Sequence, residues 1–294
     1  MISTTSISTQ CQSYNWRYQG QAHTITYETL GEGSPVLLLP AFSTVSSRTE
    51  LAGIAECLAP HFQVITLDWL GFGESDRPKV QYDRSLYQAL LQDFVQECCP
   101  HPIAIVASGH AAGYAMHLAQ NQPSHCSKLL LVAPTWKGPL RAMGAPTPMA
   151  SGVRNLVRSP LLGQALYAIN THPAFLKWMY QRHVYVDSDK LTPDFMANKY
   201  QITQQPGARF APGAFVTGGL DPMSDREEWL RVGEALTVPV QVIIPEQSPP
   251  KSAAEMEALV SLPQIQEQRV PGTLGAYEEF AGDVGAIALE FCQS

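Results

Sequence analysis

The sequence predicts an α/β fold: a doubly wound, mostly parallel sheet carrying an inserted helical cap. Three observations predict it. Short runs of consecutive apolar residues recur along the 294-residue chain, the pattern of strands buried on both faces. Helix-period segments separate these runs, which implies parallel strands joined by right-handed crossovers. The alternation breaks once, after Pro134, and resumes near residue 213.

The elements follow in order. Residues 1–14 begin MISTTSISTQCQS, a polar stretch expected to be a disordered tail. Trp16–Thr29 reads as an antiparallel hairpin leading into the sheet. Val36–Leu39, Val64–Leu67, Ile103–Val106, Leu129–Val132 and Val240–Ile244 read as buried parallel strands, with Gln266–Val270 a weaker last one. Helices are expected over Glu50–Leu58, Tyr82–Glu97, Gly113–Asn121, Arg226–Ala235 and Ala253–Leu259. The core is therefore placed at 15–134 and 213–294. Residues 135–212 hold many prolines and glycines, helix-like stretches such as Ala174–His183 and a dense set of aromatics, and are expected to form the cap.

Composition narrows the function classes. The apolar fraction of 45% allows a sizeable core. The net charge of -7 argues against nucleic acid as a partner, because phosphate binding needs clustered cations. The six cysteines form no CxxC pair, so neither a metal nor another cofactor is expected. With no secretory leader and no 18-residue apolar run, a cytoplasmic protein is expected. Charge is nonetheless uneven: residues 136–212 carry nine Lys/Arg, three Asp and no Glu. Two readings of the cap follow. It is an apolar lid over a pocket for an apolar small molecule, or it is an interface for a protein partner or an anionic membrane surface, which would make the protein membrane-peripheral.

The motif richest in information is Phe62-Gln-Val-Ile-Thr-Leu-Asp68-Trp-Leu-Gly71-Phe-Gly73-Glu-Ser75-Asp76. This Asp-x-x-Gly-x-Gly-x-Ser stretch resembles the turn after the fourth strand in the α/β-hydrolase superfamily. The order of hairpin, oxyanion loop, elbow, cap and last strands extends the resemblance over the whole chain. A dinucleotide-binding reading is poor, since no Gly-x-Gly-x-x-Gly opens a helix after the first strand. Asp68 and Ser75 are read as turn-forming. A looser likeness links the chain to the plastid and cyanobacterial branch, which includes chlorophyll-ester hydrolases.

The resemblance implies a Gly-x-Ser-x-Gly elbow, an acid and a histidine. At the elbow the chain has Ala107-Ser108-Gly109-His110-Ala111, which puts Gly109 at the nucleophile position; a register shifted by one puts His110 there. The acid position falls on Ser248, in Pro245-Glu246-Gln247-Ser248. Asp221 is a distant alternative, read rather as the cap of the helix starting near Arg226. The histidine position falls on Leu274, and no histidine occurs anywhere after His183. The oxyanion loop reads Pro40-Ala41-Phe42-Ser43, with backbone donors expected at Phe42 and His110.

The expectation is thus a pseudoenzyme that binds an apolar small molecule or a protein. Two alternatives stay open. One is a lyase or isomerase using His110 or Tyr277 for proton transfer, each otherwise a packing residue. The other is an unorthodox esterase or thioesterase with its nucleophile at Ser43 or Ser108. Glu278-Glu279 is read as an acidic pair complementing a helix dipole.

Overall fold

The computed structural model describes residues 10–100, 102–159 and 161–294. One eight-stranded sheet organises the chain, in the order β1-β2-β4-β3-β5-β6-β7-β8. The strands are β1 (Gln10–Tyr18), β2 (Gln21–Leu30), β3 (Pro35–Leu39), β4 (Gln63–Leu67), β5 (Ile103–Ser108), β6 (Cys126–Val132), β7 (Val240–Pro245) and β8 (Ile265–Val270). The β1–β2 and β2–β4 pairs are antiparallel, and every pair from β4 onward is parallel. The predicted class and strand set match this sheet. Of the expected tail at 1–14, residues 1–9 lie outside the described residues, and Gln10–Tyr14 pair with β2.

Helices α1 (Ala52–Leu58), α2 (Arg84–Cys98) and α3 (Ala111–Asn121) alternate with the strands. Next in the chain, between β6 and β7, come α4 (Pro139–Ala142), α5 (Thr147–Arg158), α6 (Leu162–Asn170), α7 (Pro173–Met179), α8 (Pro193–Thr203), α9 (Phe210–Val216) and α10 (Arg226–Glu234). The helical insertion runs past the expected limit at 212, because α9 continues to Val216. Helices α11 (Pro250–Val260), α12 (Ala276–Glu279) and α13 (Ala281–Gln293) close the chain. The last was not foreseen; Gly282 and Gly285 interrupt its apolar pattern, while Gly285 lets it pack closely on Cys57 of α1.

Two apolar cores cover the sheet. One holds Trp16, Trp69, Phe94 and Trp229 under α2, α3 and α10; the other holds Leu38, Leu58, Val106 and Phe291 under α1 and α13. Because β3 to β8 run parallel, their carboxyl ends lie along one edge, where ligand sites of such sheets occur. That edge carries Ala41 and Phe42, Asp68, Gly109, Thr135, Ser248 and Leu274.

Candidate functional site

The turn after β4 is densely hydrogen-bonded. The buried Asp68 carboxylate accepts from the Arg48 N–H at 2.6 Å and the Glu74 N–H at 2.8 Å, and pairs with the Arg48 guanidinium. Ser75 Oγ donates to the Asp68 carbonyl at 2.7 Å and accepts from Thr26 N–H at 2.9 Å. A Cβ on Gly73 would collide with the Asp68 carboxyl group, which explains the glycine. Asp68 and Ser75 therefore serve the turn.

The elbow follows β5. Gly109 has φ 53°, a left-handed conformation, while His110 has φ -65° and begins the helical path of α3. The sharp turn thus stands at Gly109. A Cβ there would lie 2.9 Å from Ala41 Cβ and 3.9 Å from Thr135 Oγ1. Neither Phe42 N–H nor His110 N–H donates to a backbone carbonyl among the described residues, so both donors expected of an oxyanion loop are unengaged by the main chain.

His110 is buried, with 3% exposure. Its Nδ1 lies 2.8 Å from Thr135 Oγ1, and its Nε2 lies 3.6 Å from Asp221 Oδ1, too far for a hydrogen bond. Asp221 Oδ1 also accepts from Gly138 N–H at 2.7 Å. The helix-cap reading of Asp221 is corrected here. Asp225, four residues on, accepts from Glu228 N–H and caps α10, because only it directly precedes the first turn. A hydroxyl, an imidazole and a carboxylate therefore converge beside Gly109. Thr135 was missed in the sequence; its one signal was its place after β6, directly following Pro134.

Aromatic rings cluster between Phe42, in the loop after β3, and Phe215 of α9, whose centroids lie 6.5 Å apart. Phe42 packs on Trp69, Phe72, Tyr87 and Tyr114 at centroid distances of 4.9–5.6 Å. Phe215 of α9 meets the His110 ring edge-on at 4.9 Å. Two cavities are described, of about 280 and 360 Å³. The first is lined by Tyr82, Arg154, Arg158 and Phe210, the second by Tyr18, His23 and Val80; neither touches Gly109, Ser248 or Leu274.

A family profile described as alpha/beta hydrolase fold matches residues 34–273. The chain belongs to the alpha/beta hydrolase fold family. Solved structures share its architecture. A bromoperoxidase from Bacillus anthracis superposes with a TM-score of 0.75 at 15% identity, over 96% of this chain and 100% of that one. A thermophilic esterase from Thermogutta terrifontis gives 0.73 at 19% identity, over 97% and 98%. Among curated relatives, the uncharacterized protein Rv2715 of Mycobacterium tuberculosis is 30% identical over 139 residues, which are 46% of this chain and 40% of that protein. The match thus spans less than half of that relative.

Within this alpha/beta hydrolase fold, the remaining named residues are dispersed. Ser43 Oγ accepts from Val45 N–H at 3.1 Å. Ser108 is fully buried at the end of β5, and its Oγ has no partner among the described residues. Ser248 sits in the turn after β7, its buried Oγ likewise unpartnered. Leu274 is half-buried and packs on the larger core. Tyr277 is buried in the other core, where burial holds its hydroxyl well above the usual tyrosine range.

The loop after β8 binds the insertion. Gly275 N–H donates to the Val184 carbonyl at 3.1 Å, and Thr273 Oγ1 donates to the His183 carbonyl at 3.3 Å. The Glu279 carboxylate accepts from Val186 N–H at 3.0 Å and Asp187 N–H at 2.7 Å. Lys199 of α8 reaches Glu278 at 2.7 Å and the buried Glu50 at 3.1 Å. The helix-dipole reading of Glu278 and Glu279 is corrected accordingly: α12 is a single four-residue turn, and both carboxylates are committed across the interface. Burial pushes Glu50 up to about 8 despite the pull of Lys199. Burial disfavours the Lys199 charge as well, but the two carboxylates outweigh it and hold the ammonium above the usual lysine range.

Among the described residues, no helix is long and apolar enough to cross a membrane. No group of three or more His, Cys, Asp or Glu side chains there is placed to hold a metal.

Proposed function

We propose that the protein is a catalytically degenerate member of its family, a pseudoenzyme that acts by binding rather than by hydrolysis. One observation carries this reading. The elbow turn is occupied by Gly109, in the left-handed conformation, so the position that would present a nucleophile has no side chain at all. Ser248 and Leu274 at the other two positions can neither orient nor supply a general base, and a serine hydroxyl without a base is not activated. Treatment with a fluorophosphonate probe, beside an active esterase as control, is the test. No covalent adduct is expected. An adduct on Ser43, Ser108 or Thr135 overturns the reading.

A second reading is favoured by His110. Its Nδ1 is held by the Thr135 hydroxyl at 2.8 Å, while its Nε2, 3.6 Å from Asp221 Oδ1, has no hydrogen-bond partner among the described residues and is free to exchange a proton. Acid–base chemistry of a lyase or isomerase requires the ring to be reachable from solvent. Reaction with diethyl pyrocarbonate, mapped by mass spectrometry, decides. Modification of His110 as fast as exposed His172 supports this reading, and protection of His110 removes it.

A further inference from the structure

We propose that the face formed by α5, α6 and α7 docks on an anionic lipid bilayer. The inference goes beyond the reading above and holds whether or not the site is catalytic. Among the described residues, every large hydrophobic side chain that stands exposed falls between Met143 and Val186. Leu161 is 85% exposed, Ile169 68% and Leu162 62%. Single exposed leucines need no explanation, but a cluster confined to one subregion marks a contact surface.

The spacing makes that surface continuous. Helix α6 reads LGQALYAIN and contains no charged residue. Gly163 and Tyr167, four apart, face inward. Leu162, Ala165 and Ile169 recur at three- and four-residue intervals on the opposite, exposed side. A helix apolar on both sides is ordinarily buried on both sides; here one side lacks its cover. Helix α5, which packs on α6, exposes Met149 and Leu156, two turns apart on one face.

Charge identifies the cover. Residues 136–186 contain six Lys/Arg and no Asp or Glu, in a chain whose net charge is -7. Lys177 and Arg182 are exposed, and the Arg182 guanidinium lies 5.9 Å from the half-exposed Trp178 ring. Leucine and isoleucine with interfacial tryptophan and flanking cations form the set that enters the headgroup layer of an acidic membrane. A second copy of the chain fits poorly, because a self-complementary interface would bring the exposed Lys177 and Arg182 of both copies together while α5, α6 and α7 supply no carboxylate. The insertion would lie on the surface rather than span it.

Flotation of the full chain with vesicles tests the proposal. Binding is expected to vesicles of phosphatidylcholine mixed with phosphatidylglycerol, and to fall steeply with added salt or with phosphatidylcholine alone. The double substitution Leu161→Asp, Leu162→Asp should abolish binding while leaving the melting temperature unchanged, since these side chains are largely exposed. Lys177→Glu with Arg182→Glu should weaken it by roughly tenfold or more. Failure to bind acidic vesicles, or binding that survives both double substitutions, overturns the proposal. So does a concentration-dependent dimer in sedimentation that the Leu161/Leu162 variant dissolves while vesicles are ignored.

Discussion

Lys199 Nζ lies 2.7 Å from Glu278 Oε1, and this ion pair joins the helical insertion to the loop after β8. In the family that loop is where a catalytic histidine is expected. Here Thr273, Gly275, Glu278 and Glu279 all bond to the insertion instead. This loop is thus tied to the insertion by both backbone and side-chain bonds.

The buried cluster should be costly to break from one side. Lys199→Met leaves Glu50 and Glu278 facing each other without a cation, and removing one partner of a buried pair typically costs about 3–5 kcal/mol. Urea denaturation measures this. A loss under about 1 kcal/mol would mean that water replaces the ammonium and the cluster is not dry.

The same cluster predicts a pH dependence. Glu50 titrates at about 8 in the fold against an ordinary carboxylate value near 4.5, so between these limits the folded protein binds more protons than the unfolded chain. Stability contributed by Glu50 is therefore greatest at the acid end, is lost as pH rises from near 4.5 through about 8, and levels off above that. The change is on the order of a few kcal/mol. Melting temperatures across pH 5–9 should decline more steeply for the native protein than for Glu50→Gln, which cannot ionise. Parallel curves would show that Glu50 does not titrate in this range.

Glu279 offers a local readout. Its carboxylate is the acceptor for two backbone N–H groups, those of Val186 and Asp187. In Glu279→Ala these donors lose their acceptor, at a cost of about 1–3 kcal/mol. Hydrogen exchange should rise at residues 183–190 while α3 and the central strands stay protected. Unchanged exchange at Val186 and Asp187 would show that other contacts hold the segment.

These relationships differ in how far the sequence carried them. The strands were legible because consecutive apolar residues such as Leu37–Leu39 and Leu129–Leu131 can be satisfied only in a sheet buried on both faces. The elbow turn was legible because Ala107, Gly109 and Ala111 leave room for a tight strand-to-helix passage. The partners of His110 were not. Thr135 and Asp221 are 25 and 111 residues away in the chain, and only the order of β5 and β6 and the return of the chain after α9 bring them together. Glu278 and Glu279 misled for the same reason: two acids before a helical turn look like a local electrostatic device, whereas their partners come from α8 and the Val186 segment. Hydrophobic period is a local signal, and a long-range polar pair leaves none.

Gly109→Ser is the direct trial of the elbow. The substitution places a hydroxyl where the family presents its nucleophile, but it must do so at φ 53° and with Cβ 2.9 Å from Ala41 Cβ. A non-glycine residue held in that conformation costs about 1–3 kcal/mol, to which the contact adds. Gly109→Ala should show nearly the same loss in urea denaturation, since the strain comes from Cβ rather than from the hydroxyl. The serine should stay unreactive toward a fluorophosphonate, because Leu274 supplies no base and His110, one residue on, already faces Thr135 and Asp221. Adding Leu274→His to Gly109→Ser should not bring reactivity while Ser248 supplies no carboxylate to orient the new histidine. Rapid labelling of the single variant would mean that His110 can turn to serve as its base, and the site would then have to be read as an active centre lacking only its nucleophile.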